Sequence, residues 1–327
     1  MIKTMKIFFV ILLTLNGCAP KPSMPPTGSF AYITNQGDNT VSVIDVTQNK
    51  VISTIQVGKA PVGVAVSAQL QRVFISNVES NNISVINTVN KTVIDSIALQ
   101  GAPVGLAMAP NNRTLYVADW FSDQIIAINT DDFSKRRALT VATAPAGLVV
   151  SADSKTLFVA ARDSNEIAIV DTETFSISKR IASGKHPFGL SLSNDILYSV
   201  NVYDNTVSAI NTLTWQTTTI KVGEHPYCAV AGADSKMLYV SNTQDDTVSV
   251  IDLETLATIA TIDVGMTPEG ISYDKANNKV LVASWGENKV SVIDAISNKL
   301  IGHIKTGDKS RAFGDFILNT LSSPDKN

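Results

Sequence analysis

Two histidines occupy equivalent places in consecutive copies of a proline turn. His186 and His225 each stand directly before a proline, where earlier copies of the turn have alanine. Glu269 follows the proline of the next copy, so the three side chains together offer ligands that a transition metal accepts. No H-x-x-H, H-x-H or C-x-x-C spacing accompanies them. A metal site and ordinary variation within a repeat are therefore both open interpretations.

Aromatic and charged residues interrupt the repeat at two kinds of loop, the proline turn and the loop between the second and third strands. Most copies have small or polar residues at these places. The departures are Trp120, Phe121, Arg162, His186, Phe188, Tyr203, His225, Tyr227, Glu269, Trp285 and Arg311. Because rigid aromatic rings and arginine dominate recognition patches, these residues predict a ligand-binding rim at the mouth of a channel. The alternative is that they only plug that mouth.

Signatures of several enzyme and cofactor classes are absent from the sequence. There is no C-x-x-C-H for covalent heme, no G-x-S-x-G elbow, no P-loop and no G-x-G-x-x-G. We therefore assign no catalytic residue and expect no cofactor, although a site can still be assembled from separated loops. Cys228 replaces a glycine where the inner strands converge, so we interpret it as a packed small residue rather than a nucleophile.

The elements that must position these residues come from a unit of about 42 residues that repeats seven times. Each copy contains four short alternations of apolar and polar residues separated by turn residues, which is the pattern of four antiparallel strands. The third alternation is the clearest, as in VSVID (41–45) and ISVIN (83–87). Since such small sheets cannot bury both faces alone, they must stack side by side. We predict an all-β fold, a seven-bladed β-propeller of four-stranded antiparallel blades.

The two ends of the chain predict how the ring closes. The chain begins with the second to fourth strands of a blade (29–57) and finishes with an unpartnered first strand (about 311–318). We expect the C-terminal strand to join the N-terminal strands, because this removes free sheet edges. In this topology the proline turns and the loops between second and third strands lie on one rim.

Several strings in the sequence resemble a known repeat. YVAD (116–119), YVSN (239–242), the VSVID strands and the G-x-x-P-x-G turns are similar to those of the YVTN family of β-propeller repeats. The resemblance covers residues 29–318 and implies the propeller fold. It implies little about activity, because relatives of this repeat serve in enzymes, nucleic-acid binders and surface proteins.

The first residues have the features of a bacterial lipoprotein signal. Lys3 and Lys6 precede the apolar run IFFVILLTL (7–15), which is too short to span a membrane. Cys18 stands where a lipobox has its acylated cysteine, with an ordinary secretory signal as the alternative. Ala19 after the cysteine favours the outer membrane over the inner one, with the folded body in the periplasm or at the cell surface.

The chain is accordingly divided into four segments. A Pro-rich stretch after the signal predicts a tether between lipid and folded body. The predicted boundaries are a signal peptide at 1–17, the tether at 18–28, the propeller at 29–318 and a disordered tail at 319–327. Once the signal is removed, Cys228 is the one cysteine besides Cys18, so no intrachain disulfide is available.

The leading expectation for function is a lipid-anchored, monomeric and non-catalytic scaffold. Its aromatic rim would bind an unknown protein, peptide or glycan at the cell envelope, and the lipid would be its only contact with the membrane. One alternative is an enzyme with its site at the channel mouth, either metal-dependent or a lactone hydrolase in which His186, His225, Glu269 and Arg311 supply acid–base and oxyanion roles. Another is single-stranded DNA binding by aromatics with Arg162. Nucleic acid is disfavoured because removal of the signal takes the formal charge from −3 to −5.

Overall fold

The computed structural model describes residues 28–232, 234 and 236–320. These residues form 28 β-strands in seven sheets of four antiparallel strands each. The predicted seven-bladed all-β propeller is confirmed. The described part of the chain has one helical element, a 3₁₀ turn at Arg162–Ser164, and so offers no helix with the length and apolarity needed to cross a bilayer. The predicted signal peptide, Cys18 and most of the predicted tether and tail lie outside the described residues.

Each blade runs from an inner strand at the central channel to an outer strand on the circumference. Blade 1 contains β1 (Gly28–Asn35), β2 (Thr40–Asp45) and β3 (Lys50–Gln56), with β28 (Ile317–Thr320) as its inner strand. The other six blades are contiguous in sequence, and their strands run in order from the inner to the outer one. Blade 2 contains β4 (Pro61–Ser67), β5 (Arg72–Asn77), β6 (Asn82–Asn87) and β7 (Thr92–Ala98), and blade 3 contains β8 (Pro103–Met108), β9 (Thr114–Asp119), β10 (Gln124–Asn129) and β11 (Arg136–Thr140). Blade 4 contains β12 (Pro145–Val150), β13 (Thr156–Ala161), β14 (Glu166–Asp171) and β15 (Ser176–Ala182), and blade 5 contains β16 (Pro187–Ser193), β17 (Ile196–Asn201), β18 (Thr206–Asn211) and β19 (Thr217–Lys221). Blade 6 contains β20 (Pro226–Ala231), β21 (Met237–Asn242), β22 (Thr247–Asp252) and β23 (Ala257–Asp263), and blade 7 contains β24 (Pro268–Asp274), β25 (Lys279–Ser284), β26 (Lys289–Asp294) and β27 (Lys299–Lys305).

The burial of each strand follows from its place in the ring. The middle strands are packed between two neighbouring blades, so β2 is buried on both faces over Val41–Ile44. Outer strands face solvent on one side, and β3 accordingly alternates between exposed and more buried positions. The apolar core therefore lies between the blades and is continuous around the ring, with Tyr32, Phe74 and Tyr239 among its largest buried side chains.

Inner strands of neighbouring blades approach most closely at the glycine two residues after each proline. A Cβ atom at Gly63 would lie 2.2 Å from the carbonyl oxygen of Val104, and one at Gly105 would lie 2.0 Å from that of Ala146. At Gly63 and Gly105 a larger side chain would therefore collide with the neighbouring inner strand. Cys228 takes this place in blade 6, where its side chain is buried. Burial raises the pKa of the Cys228 thiol, so the thiol stays protonated and is a poor nucleophile.

The C-terminal strand closes the ring as predicted. β28 pairs antiparallel with β1, from Gly28 opposite Thr320 to Ala31 opposite Ile317. At the outermost pair the Gly28 N–H donates to Thr320 Oγ1 at 2.7 Å, and Thr320 Oγ1 donates to Gly28 O at 2.8 Å. Both ends of the described segment, Gly28 and Thr320, are thus held in blade 1, and its inner edge is covered.

The closing strand begins later than the predicted residue 311. Ala312 and Gly314 have positive φ values of 73° and 110°, which interrupt an extended run before Ile317. The preceding segment, 310–316, crosses to blade 2 instead. There the Phe313 N–H donates to Val62 O at 3.1 Å, so the segment ties blades 1 and 2 together.

Candidate functional site

The proline turns and the loops after each second strand lie on one rim, as expected. In blade 5 the Val202 N–H donates to His186 O at 3.1 Å, and in blade 6 the Thr243 N–H donates to His225 O at 3.0 Å. These bonds join the two loops of each blade. Side chains from both loops are therefore presented on the same face of the ring.

The two histidines are placed by their backbone conformation. His186 and His225 have φ values of 59° and 49°, in the left-handed region that residues other than glycine seldom adopt. The neighbouring blade holds each residue there, because the His186 N–H donates to Asn165 Oδ1 at 2.8 Å and the His225 N–H donates to Asn205 Oδ1 at 3.0 Å. Both imidazoles are thus fixed by adjoining blades of the ring.

Four of the predicted rim residues form a central plug together with Phe313. The plug consists of Phe188, Tyr227, Glu269, Arg311 and Phe313. Phe188 is 3% exposed and Phe313 is 5% exposed, and their ring centroids lie 4.9 Å apart. Tyr227 lies against Phe188 with a centroid separation of 4.3 Å. These rings fill the channel mouth, so this part of the set matches the plug interpretation.

A buried ion pair is part of the plug. Arg311 Nε is paired with Glu269 Oε2, and Arg311 Nη2 donates to Tyr227 Oη at 2.9 Å. Burial raises the pKa of Glu269, and the adjacent guanidinium works against that rise. Because Glu269 is occupied by Arg311, it is not joined with the histidines in a metal site. In the described residues no group of three His, Cys, Asp or Glu side chains is arranged to hold a metal ion.

Phe313 is the plug residue that the sequence analysis missed. It lies in the C-terminal segment that was predicted as a plain inner strand. The signal was available, since other copies have smaller aliphatic residues directly after the glycine of the turn, such as Val64 and Leu106. A phenylalanine there is a departure from the repeat of the same kind as Phe188.

A second group, which we call the histidine platform, covers the plug on one side of the rim. It consists of Trp120, Arg162, His186, Tyr203 and His225. The His186 and Tyr203 rings stack with centroids 4.2 Å apart, and Tyr203 meets His225 edge-on at 5.8 Å. The Arg162 guanidinium lies over Trp120 at 3.7 Å from the ring centroid. Tyr203 is 61% exposed, so the platform presents aromatic surface to solvent.

An acidic neighbour orients one imidazole of the platform. His186 Nδ1 lies 3.5 Å from Asp163 Oδ1, and Arg162 holds Asp163 with two hydrogen bonds of 2.8 Å. This bidentate contact lowers the pKa of Asp163. The pKa of His186 is lowered by burial and by the charge of Arg162, although Asp163 opposes the change. The imidazole is therefore neutral near pH 7, and a proton on Nδ1 facing Asp163 leaves Nε2 with a free lone pair.

The other imidazole carries an unpaired atom. His225 Nδ1 is buried without a hydrogen-bond partner among the described residues. An orphaned ring nitrogen is unusual, because buried polar atoms are nearly always hydrogen-bonded. The platform therefore offers two imidazole side chains on neighbouring blades, beside exposed aromatic surface.

Two predicted residues lie at the edge of this arrangement or apart from it. Phe121 is 77% exposed and stacks on Trp120 with a centroid separation of 6.5 Å, so it extends the aromatic surface of the platform. Trp285 contacts a different part of the rim. Its Nε1–H donates to Gln36 Oε1 at 3.1 Å, and Lys309 Nζ lies 5.3 Å from its ring centroid.

One protein-family model matches most of this chain, and it describes a heme domain. The family described as "Cytochrome D1 heme domain" matches residues 21–317. No curated protein sequence is significantly similar to this chain. The matched family is a heme domain and is not the YVTN repeat family that the strings in the sequence resemble.

Solved structures share the fold. Hydrazine synthase of Kuenenia stuttgartiensis matches with a TM-score of 0.74 at 19% identity, covering 88% of this chain and 99% of that one. A protein of Desulfotomaculum acetoxidans DSM 771, described as functionally unknown, matches with a TM-score of 0.76 at 13% identity, over 90% and 99% of the two chains. Dihydro-heme d1 dehydrogenase NirN, solved in complex with DHE, matches with a TM-score of 0.69 at 14% identity, over 94% and 78%. At these identities the likeness concerns the fold alone.

The family match overturns the expectation of a non-catalytic binding scaffold, which was wrong. A heme domain carries a reactive cofactor, and neither a lactone hydrolase nor a single-stranded DNA binder is indicated by this match. The physical reason for the error is that the missing C-x-x-C-H motif concerns only covalently attached heme. A heme held without thioether bonds needs one or two protein ligands to its iron, and a single histidine leaves no spacing pattern in a sequence.

Proposed function

This chain belongs to the cytochrome D1 heme domain family, and on that premise we propose that it binds a heme at the histidine platform and has a redox or catalytic role. The observation that carries the proposal is the pair of imidazoles, His186 and His225, on neighbouring blades, the second of which has a buried Nδ1 atom without a hydrogen-bond partner. When bound, a heme supplies an iron that changes oxidation state and binds small molecules.

The residues of the platform fit such a group in three respects. The macrocycle already supplies most of the coordination of its iron, so one or two imidazoles complete it, whereas a bare metal ion needs more protein ligands than the platform has. His186 has the acidic neighbour at Nδ1 that commonly orients an iron-binding imidazole. Trp120, Phe121 and Tyr203 offer apolar ring surface for a flat macrocycle.

The chain's own residues would then divide the work. His186 and His225 are the candidate iron ligands. Arg162 fixes Asp163, and Asp163 holds the His186 ring in the tautomer that leaves Nε2 free. The plug below the platform would keep solvent in the channel away from a heme bound at the platform, since Phe188 and Phe313 close the channel mouth.

Heme titration tests this proposal. Ferric protoporphyrin IX and heme d1 are each added to the purified protein, and saturable one-to-one binding is followed by the Soret absorbance. We expect at least one of them to bind, and the double variant His186→Ala/His225→Ala to lose at least tenfold in affinity. His303→Ala is the matched control, because this third histidine lies on the outer strand β27 and contacts Ser291 instead. The absence of saturable binding, or equal binding by the double variant, would contradict the proposal.

We also propose that the propeller is exported and anchored by a lipid on Cys18, and that its blades are of the YVTN type. The apolar run at 7–15 and the cysteine at a lipobox position support the anchor. Cys18→Ala should move the protein from the membrane fraction to the soluble fraction and abolish incorporation of labelled palmitate. A variant that stays in the membrane fraction would rule out this anchor.

A further inference from the structure

A groove lies between blades 2 and 3, on the outer part of the ring. Its volume is about 730 Å³. The end of β7 and the turn that follows it contribute from blade 2, and β9, β10 and β11 contribute from blade 3. The residues that line the groove belong neither to the plug nor to the histidine platform. Whatever binds here therefore occupies a site apart from the proposed heme site.

Four of the seven blades have an asparagine with a fixed set of partners at the end of the second strand. In blade 1 Asn35 Nδ2 donates to Thr40 Oγ1 and to Ser42 Oγ, at 2.9 Å each. The equivalent pair of bonds to the third strand is made in blades 2, 5 and 6 by Asn77, Asn201 and Asn242. In these blades the amide nitrogen is thus fully used within its own blade.

Blade 3 departs from this arrangement at all three positions. Asp119 replaces the asparagine, and Gln124 and Ile126 stand where blade 1 has its threonine and serine. Asp119 is 3% exposed, and it forms no ion pair with any described residue. Both hydroxyl partners of the repeat are therefore missing exactly where a carboxylate has replaced the amide.

Of the two oxygens of Asp119, Oδ2 is the one that distinguishes this blade. Oδ1 is enclosed without a hydrogen-bond partner, but the same is true of Oδ1 in Asn77 and Asn242, so that feature belongs to the repeat. Oδ2 takes the place of a nitrogen that elsewhere donates twice, and no described donor reaches it. A buried carboxylate without a donor or a cation is costly. Because Asp119 lines the groove and Oδ1 is enclosed, Oδ2 is the atom that a ligand in the groove can reach.

Arg136 brings the opposite charge to the same groove without pairing with Asp119. Its Nε donates to Phe133 O and its Nη1 donates to Ala98 O, at 2.7 Å each. Its Nη2 makes no hydrogen bond to a described residue, so one edge of the guanidinium is free for a ligand. Arg137 also lines the groove, but its guanidinium donates to two carbonyl oxygens of blade 4. The groove therefore presents one unpaired carboxylate and one partly free guanidinium.

We propose that this groove binds a small zwitterion of the α-amino acid type with an aliphatic side chain. The ammonium group donates to Asp119 Oδ2, and the carboxylate accepts from Arg136 Nη2. The aliphatic chain lies against Leu99 and Ile126, which are partly buried apolar residues of the lining. A ligand with only a positive charge is repelled by the guanidinium, and a ligand with only a negative charge leaves Asp119 without a countercharge.

Calorimetric titration of the purified protein tests the site. The probes are L-leucine, L-leucinamide, which lacks the carboxylate, and 4-methylpentanoate, which lacks the ammonium group, at about pH 6.5 where α-amino groups are protonated. We expect leucine to bind at least tenfold more tightly than either analogue. Asp119→Asn gives blade 3 the residue of blades 1, 2, 5 and 6, and should weaken leucine binding at least tenfold. Asp131→Asn, an exposed position with the same change in charge, should have no effect.

Two further measurements separate binding from folding. Without leucine, Asp119→Asn should keep the melting temperature of the unaltered protein, because an asparagine fits this position in four other blades. In the unaltered, ¹⁵N-labelled protein, leucine should change the amide chemical shifts of Gly101, Ser122 and Gln124 and leave those of the platform histidines in place. Equal affinities for leucine and leucinamide, an Asp119→Asn variant that binds leucine as tightly as the unaltered protein, or shift changes confined to other regions would each overturn the proposal.

Discussion

The positions of His186 and His225 depend on one amide side chain each. Asn165 and Asn205 reach across from the preceding blade and accept from the histidine N–H groups. The same contact occurs in blade 1, where Asn39 Oδ1 accepts from the Ala60 N–H at 2.9 Å. Ala60 has no side chain that could bind iron, so the repeat itself supplies a neutral comparison for the two histidine sites.

Removal of the Asn165 amide should weaken heme binding, whereas removal of the equivalent Asn39 amide should lower stability equally and leave heme binding unchanged. Asn165→Ala removes the bond that holds His186 in its left-handed conformation, and we expect a loss of about 1 kcal/mol in stability and about tenfold in heme affinity. Asn39→Ala should cost the same stability and leave heme affinity unchanged. Urea unfolding and Soret titration measure the two quantities. Equal heme affinities in the two variants would show that the position of His186 does not matter for binding.

Side chains that look alike in the sequence divide into two roles at the rim. Phe188 and Tyr203 are both aromatic departures from the repeat, but Phe188 is buried in the plug and Tyr203 is exposed on the platform. The sequence predicts that such residues share one face of the ring, because that depends on topology alone. It does not predict their depth, because depth depends on which rings from other blades pack around each side chain, as Tyr227 and Phe313 do around Phe188.

Among the elements, β28 decides whether the ring is closed. It is a strand of four residues, and without it the inner edge of blade 1 would be open. The segment before it also joins blade 2 through Phe313 and contributes Arg311 to the plug. One short stretch of chain therefore supports the first blade, the second blade and the channel mouth.

Truncation after Gly307 should give an unstable or aggregating protein. It removes β28, exposes the edge of β1 and leaves Glu269 without Arg311, and a buried charge that loses its partner costs about 3–5 kcal/mol. Thermal unfolding and light scattering check this outcome. Truncation after Thr320 is the control, because it keeps every strand of the ring. A melting temperature that is the same for both truncated forms would contradict the role of β28.

The strands were predictable to a greater degree than the closing segment. A short, largely apolar run bounded by turn residues specifies β2 and its counterparts in every blade, since each is packed between two neighbours. The start of β28 was misplaced because its position depends on the left-handed conformations of Ala312 and Gly314. Alanine gives no local signal for such a conformation, which is imposed here by contacts with Thr34 and Val62.

For the whole molecule, similarity among the blades makes the fold predictable from the sequence, but it makes the residues that differ in function hard to recognise. Seven equivalent units predict a ring from spacing alone. The proposed heme site rests on one or two histidines that differ from the alanines in blades 2 to 4, so its signal is small against the repeat. The expectation of a non-catalytic binding scaffold was wrong for this reason, and the family match supplied what the spacing could not.

The two faces of the ring also offer different chemistry. The rim has imidazoles, aromatic rings and an arginine, whereas the channel behind the plug has a single carboxyl group among its lining residues, that of Asp315. Because the plug separates them, a ligand on one side does not obstruct the other.

The pairing of the chain ends determines how the ring responds to mechanical load. β1 and β28 are antiparallel, and Gly28 and Thr320 face each other at the outermost position, so both ends of the folded body leave the ladder at the same point. Force applied between them would open the four residue pairs one after another, as a zipper opens, and would not shear them all at once. Tension on the chain ends would therefore break the ring at blade 1 first, before any other blade is strained.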